Sequence, residues 1–204
     1  EVITNATEKY ERTNIPLPGL VGGPCLEKDP HILYQSLKDF DYSANLFKEA
    51  REVNENMAKA FLPWVSGLNH SSSFGIAGLA FKGNPETSDL RGSLSIEIFN
   101  ELRDKSTNEI NLFDPVKEVI KTQDYENFFS KGKWFENFEQ FVVETDILII
   151  CNNHSFFKNL LNANKIWDLN PNIEIYDFWN NLSEKLTKEN LYKYKVFGRA
   201  QKND

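Results

Sequence analysis

A run of four aliphatic residues stands inside the segment Asp146-Ile147-Leu148-Ile149-Ile150-Cys151. A short apolar run with polar residues on both sides is typical of a strand that is buried on both faces. Such strands belong to parallel sheets, because the crossover helices cover both faces of the sheet. The segment therefore predicts an α/β protein with a mostly parallel central sheet.

Further strands and helices are predicted on both sides of this run. Strands are predicted at 74–81, 109–113, 173–176 and 194–197. Helices are predicted near 94–102, after Asp114-Pro115, at 138–143 and at 156–162. Strands that alternate with helices in this way indicate one Rossmann-like domain, to which we assign residues 71–204.

Residues 1–70 have a different character and are predicted to form a loop followed by helices. Three prolines and three glycines crowd into positions 16–24, so the first thirty residues are expected to be loop-like. Asp29-Pro30 offers an N-cap and a first-turn proline, which predicts a helix from there to about Lys38. A longer helix is predicted after Ser43, ending or bending near Pro63. Its apolar residues recur at steps of three and four: Phe47, Ala50, Val53, Met57, Ala58, Phe61 and Val65.

The composition excludes several classes of protein. The chain has 204 residues, 40% of them hydrophobic, with 16 Phe, 7 Tyr and 4 Trp, which excludes a wholly disordered chain. The formal net charge is −7, so no broad attraction to nucleic acid or anionic lipid is expected, although a local basic pocket can still hold a phosphate. No apolar run approaches the ~20 residues that cross a bilayer. We expect no nucleic-acid or membrane partner.

The cysteines and histidines suggest a reduced, cytoplasmic protein without a structural metal. Two cysteines, Cys25 and Cys151, do not make a disulfide framework in an acidic chain of this length. No Cys/His pair has the spacing of a zinc site. We assign His31, His70 and His154 to helix faces or loops, and Cys151 to packing.

Cys25 is the first candidate for chemistry. It precedes the predicted helix start, whose positive end favours the nucleophilic thiolate, and Lys28 adds a nearby cation. Gly22 and Gly23 allow the backbone to approach a ligand closely. Asp29 is placed to accept a proton from a water that attacks a cysteine adduct. The alternatives are that Cys25 is a small packing residue and that Asp29 is only an N-cap.

A second candidate follows the strand at 74–81. Gly75 and Gly78 end that strand, and the helix expected near Ser93 could bind a phosphate on its N-terminal amides. Lys82 and Arg91 would supply positive charge. The spacing is not G-x-G-x-x-G, and an ordinary strand-to-helix turn with two surface cations explains it equally well.

The two candidates together resemble the C-terminal half of the UDP-glucose/GDP-mannose dehydrogenase family. The stretch Pro18-Gly19-Leu20-Val21-Gly22-Gly23-Pro24-Cys25-Leu26-Glu27-Lys28-Asp29-Pro30 resembles its catalytic-cysteine loop, and Arg51-Glu52-Val53-Asn54-Glu55-Asn56-Met57 its central helix. Gly78-Leu79-Ala80-Phe81-Lys82, with Asp89 and Arg91, resembles the first strand and turn of its nucleotide-sugar domain. Asp114-Pro115, Asp146 to Ile150 and Asn153 to Lys158 follow in the family's order. The last of these is most similar to the UDP-N-acetylmannosamine dehydrogenase branch.

The resemblance implies oxidation of the C6 hydroxyl of a UDP-sugar to a carboxylate, with NAD as cofactor. Cys25 matches the nucleophile that forms a thiohemiacetal and then a thioester, and Asp29 matches the residue that assists hydrolysis. Lys82, Gly19, Gly22 and Gly23 match substrate-binding positions, and Arg91 matches a motif position. The helix over residues 43–66 corresponds to the dimer-forming part of the family, which implies a homodimer.

The chain also departs from the family. Trp179 stands near a position where some relatives carry an arginine that touches the nucleotide, and it either stacks on the ligand or simply packs. No G-x-G-x-x-G occurs in these residues, so the NAD domain is expected to be absent and the chain alone inactive. With Glu1 rather than Met at the start, we interpret the chain as a C-terminal fragment of the enzyme. The alternatives are a stand-alone nucleotide-sugar-binding or assembly module, and an unrelated α/β protein.

Overall fold

The computed structural model describes residues 2–8, 15, 19–40, 42–67, 71–159, 165–182, 186–187 and 190–197. Within them, six strands form one sheet: β1 (Phe74–Ala77), β2 (Ile110–Phe113), β3 (Gly132–Trp134), β4 (Ile147–Ile150), β5 (Glu174–Asp177) and β6 (Tyr194–Val196). The strand order is β3-β2-β1-β4-β5-β6, and every neighbouring pair is parallel. The predicted Rossmann-like α/β fold with a mostly parallel sheet is confirmed, and the sheet is parallel throughout its described strands.

Helices connect the strands and precede the sheet. They are α1 (Val2–Thr7), α2 (Pro24–Lys38), α3 (Asn45–Ser66), α4 (Leu94–Lys105), α5 (Gln123–Phe129), α6 (Phe138–Val143), α7 (Ser155–Lys158) and α8 (Lys165–Leu169). Two 3₁₀ turns lie at Lys117–Lys121 and Leu191–Lys193. No helix in the described ranges is long and apolar enough to cross a membrane.

The core lies on both faces of the sheet. All residues of β1, β2 and β4 are buried. One face packs against Phe99, Leu102 and Phe129, and the other against Phe141 and Phe157. Burial on both faces explains why these strands are continuous apolar runs in the sequence.

Two sequence predictions around the sheet were wrong. Asp114-Pro115 does not begin an α-helix, because the buried carboxylate of Asp114 accepts hydrogen bonds from the backbone N–H groups of Leu79 (2.6 Å), Ala80 (3.2 Å) and Val116 (2.7 Å). Those bonds tie the exit of β1 to the exit of β2. Strand β3 was not predicted, since it has three residues that are not fully buried.

The N-terminal helices also differ from prediction. Residues 2–7 are helical, and α2 begins at Pro24 rather than at Pro30, with Gly23 as its N-cap. Gly23 has a φ of 93°, in the left-handed region that glycine adopts without strain. Pro24 fits the first position of a helix, and Pro30 lies inside the helix. Asp29 is therefore not an N-cap.

Helix α3 has the predicted position, and several of its apolar side chains are exposed. Val53 is 63% exposed, and Ala50 and Phe47 are exposed as well. Arg51 is buried at 7% exposure, and its guanidinium donates to Glu55. Phe47, Ala50 and Val53 are therefore not covered by the described part of the chain. His70, Pro16 and Pro18 lie outside the described residues.

Candidate functional site

The sheet has a topological switch point between β1 and β4. The chain leaves β1 toward β2 on one side and leaves β4 toward β5 on the other, which opens a crevice at the carboxyl ends of the two strands. A groove of about 470 Å³ lies there, which we call the switch-point groove. It is lined by Ile15, Leu20, Val21, Gly22, Leu26, Phe81, Lys82, Asn84, Pro85, Asn153, Lys158 and Trp179.

A second groove adjoins it and contains Cys25. This cysteine groove has a volume of about 430 Å³ and is lined by Gly22, Gly23, Pro24, Cys25, Leu26, Phe81, Lys82, Glu86, Thr87 and Asp89. The two grooves share four residues, among them Lys82 and Phe81. The fold thus brings together Cys25 and Lys82, which are far apart in sequence.

The loop before Cys25 is held against the turn before α4 by backbone contacts. The N–H of Gly23 donates to the carbonyl of Arg91 at 3.0 Å. A Cβ on Gly22 would lie 2.1 Å from the carbonyl oxygen of Gly92, so no larger residue fits this approach. From α3, the amide of Asn54 both donates to the carbonyl of Val21 and accepts from its N–H, each at 2.9 Å. Gly22 and Gly23 therefore serve the packing of the loop.

Cys25 and Asp29 lie on one face of α2. Cys25 is exposed at the second position of the helix, and Asp29 follows one turn later. Side chains four positions apart on a helix are neighbours, with Cβ atoms about 5–6 Å apart. Lys28 forms an ion pair with Asp29, and the hydrogen bond from this pair raises the pKa of Lys28. The sequence placed Asp29 at the helix start, whereas the structure places it one turn after Cys25 within the helix.

The first turn of α2 presents two backbone donors. Pro24 has no N–H, and the N–H of Glu27 donates to the carbonyl of Gly23 at 3.2 Å. Gly23 offers no side chain to cap the helix. Among the described residues, no acceptor faces the N–H groups of Cys25 and Leu26, and these carry the positive end of the helix dipole.

Arg91 is near the site but is already paired. Its guanidinium makes a two-point ion pair with Asp89, with Nη2 at 2.6 Å from Oδ2 and Nε at 2.9 Å from Oδ1. The side-chain hydrogen bond from Arg91 lowers the pKa of Asp89, and the same bond raises the pKa of Arg91. Lys28 lies three positions after Cys25 on α2, and the carbonyl of Arg91 accepts from the N–H of Gly23, two positions before Cys25. Both cations therefore lie within electrostatic reach of the sulfur.

The N-terminus of α4 is capped by a buried serine, and a phosphate site on its amides stays a prediction. The helix starts at Leu94 with Ser93 as its N-cap, as predicted, and the hydroxyl of Ser93 accepts from the N–H of Ser95. Both serine hydroxyls also donate to the carbonyl of Leu79 at 2.6 Å, and both residues are buried. The end of this helix is used to hold the exit of β1.

Residues after β4, which sequence reasoning did not assign to the site, position the loop that carries Lys82. Asn153 accepts from the N–H of Gly83 at 3.0 Å. The Nδ1 atom of His154 accepts from the N–H of Phe156, so its proton is on Nε2, which donates to Glu86 at 2.9 Å. The sequence did contain a signal that could have assigned these residues to the site: the polar run Asn152-Asn153-His154 follows the clearest strand, and ligands bind at the carboxyl ends of parallel strands.

Cys151 is buried in the core, and Trp179 packs against Gly19 while it also lines the switch-point groove. The indole N–H of Trp179 donates to the carbonyl of Cys151 at 3.0 Å, and a Cβ on Gly19 would lie 2.2 Å from its ring. Burial raises the pKa of the Cys151 thiol. In the described ranges, no three His, Cys, Asp or Glu side chains gather into a possible metal site.

The fold is a parallel α/β sheet with a groove at its switch point, which is where nucleotide-binding proteins of this class hold their ligands, and an exposed thiol lies in the adjoining groove. Comparison with known families narrows that class. The model of the UDP-glucose/GDP-mannose dehydrogenase family, UDP binding domain, matches residues 75–184, which is more than half of the chain. The model of the central domain of the same family matches residues 1–56. The chain belongs to the UDP-glucose/GDP-mannose dehydrogenase family.

Individual relatives agree with this assignment. The UDP-N-acetyl-D-mannosamine dehydrogenase of Pyrococcus horikoshii is 31% identical over 159 residues, covering 74% of this chain and 33% of the relative. The UDP-N-acetyl-D-glucosamine 6-dehydrogenase of Salmonella typhi is 33% identical over 107 residues, covering 48% of this chain and 24% of the relative. The solved structure of the UDP-D-ManNAc dehydrogenase from Pyrococcus horikoshii matches with a TM-score of 0.66 at 25% identity, covering 96% of this chain and 43% of that one. The chain thus spans a third or less of the length of these two curated relatives.

Proposed function

We propose that these residues form the C-terminal part of an NAD-dependent nucleotide-sugar 6-dehydrogenase, which oxidises the C6 hydroxyl of a UDP-sugar to a carboxylate. One observation carries the proposal: the exposed thiol of Cys25 and the ammonium group of Lys82 line the same groove. A nucleophile beside a cation suits covalent chemistry on a sugar that carries phosphate. Residues 1–70 would be the end of the central domain and residues 71–204 the nucleotide-sugar domain.

The ligand would lie across both grooves. Its nucleotide and diphosphate would occupy the switch-point groove, where Lys82 meets the phosphates. Its sugar would extend along the backbone of Gly19, Gly22 and Gly23 into the cysteine groove. Arg91, because it is paired with Asp89, would contribute charge near the sugar rather than a free donor.

Cys25 would capture the aldehyde stage of the reaction. The thiolate sulfur attacks C6 and forms the C–S bond, while the carbonyl oxygen becomes an alkoxide that takes up a proton and gives the thiohemiacetal. The unpaired N–H groups of Cys25 and Leu26 are suited to stabilise that alkoxide, because they are preorganised donors at a helix N-terminus.

Asp29 would act at the hydrolysis of the thioester. A water molecule attacks the acyl carbon, one of its protons passes to the Asp29 carboxylate, and the C–S bond breaks to release the Cys25 thiolate and the sugar carboxylic acid, which loses its remaining proton to solvent. Position 29 on the same helix face as Cys25 supports this role. Lys28, which is paired with Asp29, would keep the carboxylate oriented.

NAD does not fit any residue pattern of this chain. The 204 residues contain no G-x-G-x-x-G, and the cysteine and switch-point grooves are accounted for by the substrate. NAD would accept the hydrides, and no part of that transfer is assigned to residues 1–204. The cofactor would be bound by another domain of the parent enzyme.

The proposal is tested by activity and by binding. In the parent enzyme, NADH formation from UDP-N-acetylmannosamine and UDP-N-acetylglucosamine is compared between wild type and Cys25→Ala. We expect Cys25→Ala to lose at least roughly a thousandfold in turnover while still binding UDP. Undiminished turnover would exclude Cys25 as the nucleophile. Binding of UDP-sugar by a parent protein that never reduces NAD would favour the binding-module alternative.

A further inference from the structure

The switch-point groove is positive in a negative protein. Of the twelve residues that line it, Lys82 and Lys158 are the charged ones, and none is Asp or Glu. The chain as a whole has 30 acidic against 23 basic residues. A groove that collects two cations and no carboxylate attracts anions locally, whatever the net charge.

Lys158 is built into this groove without a protein partner. It is the last residue of α7, eight positions after β4 ends, and it is partly buried. Among the described residues, no carboxylate or hydrogen-bond acceptor contacts its ammonium group. By contrast, Lys28, Lys133, Lys165 and Lys195 each form an ion pair with a carboxylate.

Lys82 and Lys158 line the switch-point groove from two segments of the chain, one after each of two neighbouring strands. Lys82 follows β1 and Lys158 follows β4, and these strands are hydrogen-bonded neighbours, about 4.8 Å apart. The loop of Lys82 is also joined to the segment before α7 through Gly83 and Asn153. Two ammonium groups on long flexible stems that line one groove can meet two linked phosphates at once.

We infer that Lys158 is a second diphosphate-binding residue of the switch-point groove, acting together with Lys82 on a nucleoside diphosphate. The inference rests on the proposed function and adds to it a residue that holds the second phosphate. Lys158 could instead act locally by stabilising the C-terminal end of α7. That stabilisation would be small, because α7 is a single turn and its dipole is correspondingly small.

Calorimetric titration of the 204-residue chain with UDP and with UMP tests the inference. The variants are Lys158→Gln, Lys158→Arg and Lys82→Gln. Lys165→Gln is the matched control, because Lys165 lies on the next helix and pairs with Glu139 on the surface. Thermal unfolding of each variant verifies that it is folded.

We expect Lys158→Gln to weaken UDP binding about tenfold and UMP binding less. The preference of the chain for UDP over UMP should therefore be smaller in this variant. Lys158→Arg should restore most of the UDP affinity, and Lys165→Gln should match wild type. The slope of UDP affinity against salt concentration should be smaller in Lys158→Gln.

Two different failures are distinguishable. If Lys82→Gln weakens UDP binding and Lys158→Gln does not, the role of Lys158 is wrong and the proposed function stands. If the chain binds neither UDP nor UMP, the placement of the nucleotide fails, and the role of Lys158 fails with it.

Discussion

Asp29 acts on the chemistry at Cys25 only if the two side chains are neighbours, and α2 makes them so. The sequence alone allowed Asp29 to be an N-cap, in which case its carboxylate would have been used to bind the helix amides. In the structure Gly23 is the N-cap, and the Asp29 carboxylate is exposed and pairs with Lys28. Its role in hydrolysis can therefore be tested separately from the start of the helix.

We predict that Asp29→Asn in the parent enzyme slows hydrolysis and leaves Cys25 acylated. Asparagine keeps the shape of the side chain but cannot take the proton of the attacking water, so turnover should fall roughly a hundredfold or more. Intact-protein mass spectrometry during turnover should show the mass of the attached sugar acid. Asp39→Asn, an exposed change at the C-cap of the same helix, should behave like wild type. Turnover that falls without acylated enzyme would place Asp29 at another step.

Asp114 gives the second prediction at the level of single residues. Burial raises the pKa of its carboxyl to about 6, although three backbone N–H groups stabilise the charged form. A carboxyl whose pKa is higher in the folded state binds its proton more tightly there than in the unfolded chain. Its contribution to stability is therefore greatest at low pH and declines as the pH rises through the window from about 4 to 6.

Between pH 4.5 and 7, this group should lower the free energy of unfolding by about 2 kcal/mol, from the difference between its two pKa values. The variant Asp114→Asn does not titrate and should lack this component. It should also be less stable at both pH values, because its amide donor would face a backbone N–H. Chemical denaturation measures how much the free energy of unfolding of each protein changes between the two pH values. Subtracting the change in Asp114→Asn from the change in wild type removes the contributions of other carboxyl groups, such as Asp177, and leaves that of Asp114. If this subtracted value is near zero, the pKa of Asp114 is not raised in the folded protein.

Among the structural elements, the loop before α2 depends on one close backbone approach. Gly22 is buried and has no room for a Cβ beside the carbonyl of Gly92, and that carbonyl cannot move aside like a flexible side chain. The variant Gly22→Ala should therefore displace the loop or lose about 1–3 kcal/mol of stability. UDP affinity should fall as well, because Gly22 lines both grooves.

Denaturation and UDP titration measure these two effects. Val21→Ala is the matched control, since Val21 is the preceding residue, its side chain is 43% exposed, and its bonds to Asn54 come from the backbone. It should change stability by less than about 0.5 kcal/mol. If Gly22→Ala keeps both the stability and the affinity of wild type, then the close approach is not required.

The elements of the sheet were predictable where burial leaves a pattern in the sequence. The strands β1, β2 and β4 are apolar runs because helices cover both of their faces. Strand β3 could not be found, because its residues Gly132 to Trp134 are not fully buried and leave no such run. The start of α2 was misplaced because Pro24 and Pro30 both fit a first turn. The contact that distinguishes them, from Gly23 to the carbonyl of Arg91, joins segments far apart in sequence.

The candidate site was predictable only in part, for the same reason. Cys25 and Lys82 could be named from their local surroundings and from the family resemblance. Lys158 and the His154–Glu86 pair could not, because their significance comes from the pairing of β4 with β1. Arg91 illustrates the opposite error, since a cation that looked free in the sequence is paired with Asp89.

At the scale of the whole molecule, helices α2 and α3 carry apolar side chains that the described part of the chain does not cover. Leu46 is 76% exposed and Val53 63%, and these residues lie two turns apart on one side of α3. Further exposed apolar residues on or next to the two helices are Ile32, Leu33, Phe40 and Tyr42. Contiguous exposed apolar surface of this kind usually marks an interaction site. It supports the proposal of a homodimer through the helix at residues 43–66.

We predict that the chain self-associates and that the double variant Leu46→Lys/Val53→Lys shifts it to the monomer. Two lysines would place like charges at a self-complementary interface, where they would oppose each other and require desolvation. The stability of the monomer should barely change, because both positions are exposed within it. Sedimentation equilibrium over a range of concentrations measures the association. The control Lys48→Gln/Glu52→Gln removes an exposed ion pair of the same helix and should leave association unchanged. A wild-type chain that stays monomeric, or a double variant that still dimerises, would show that this face of α3 is not the interface.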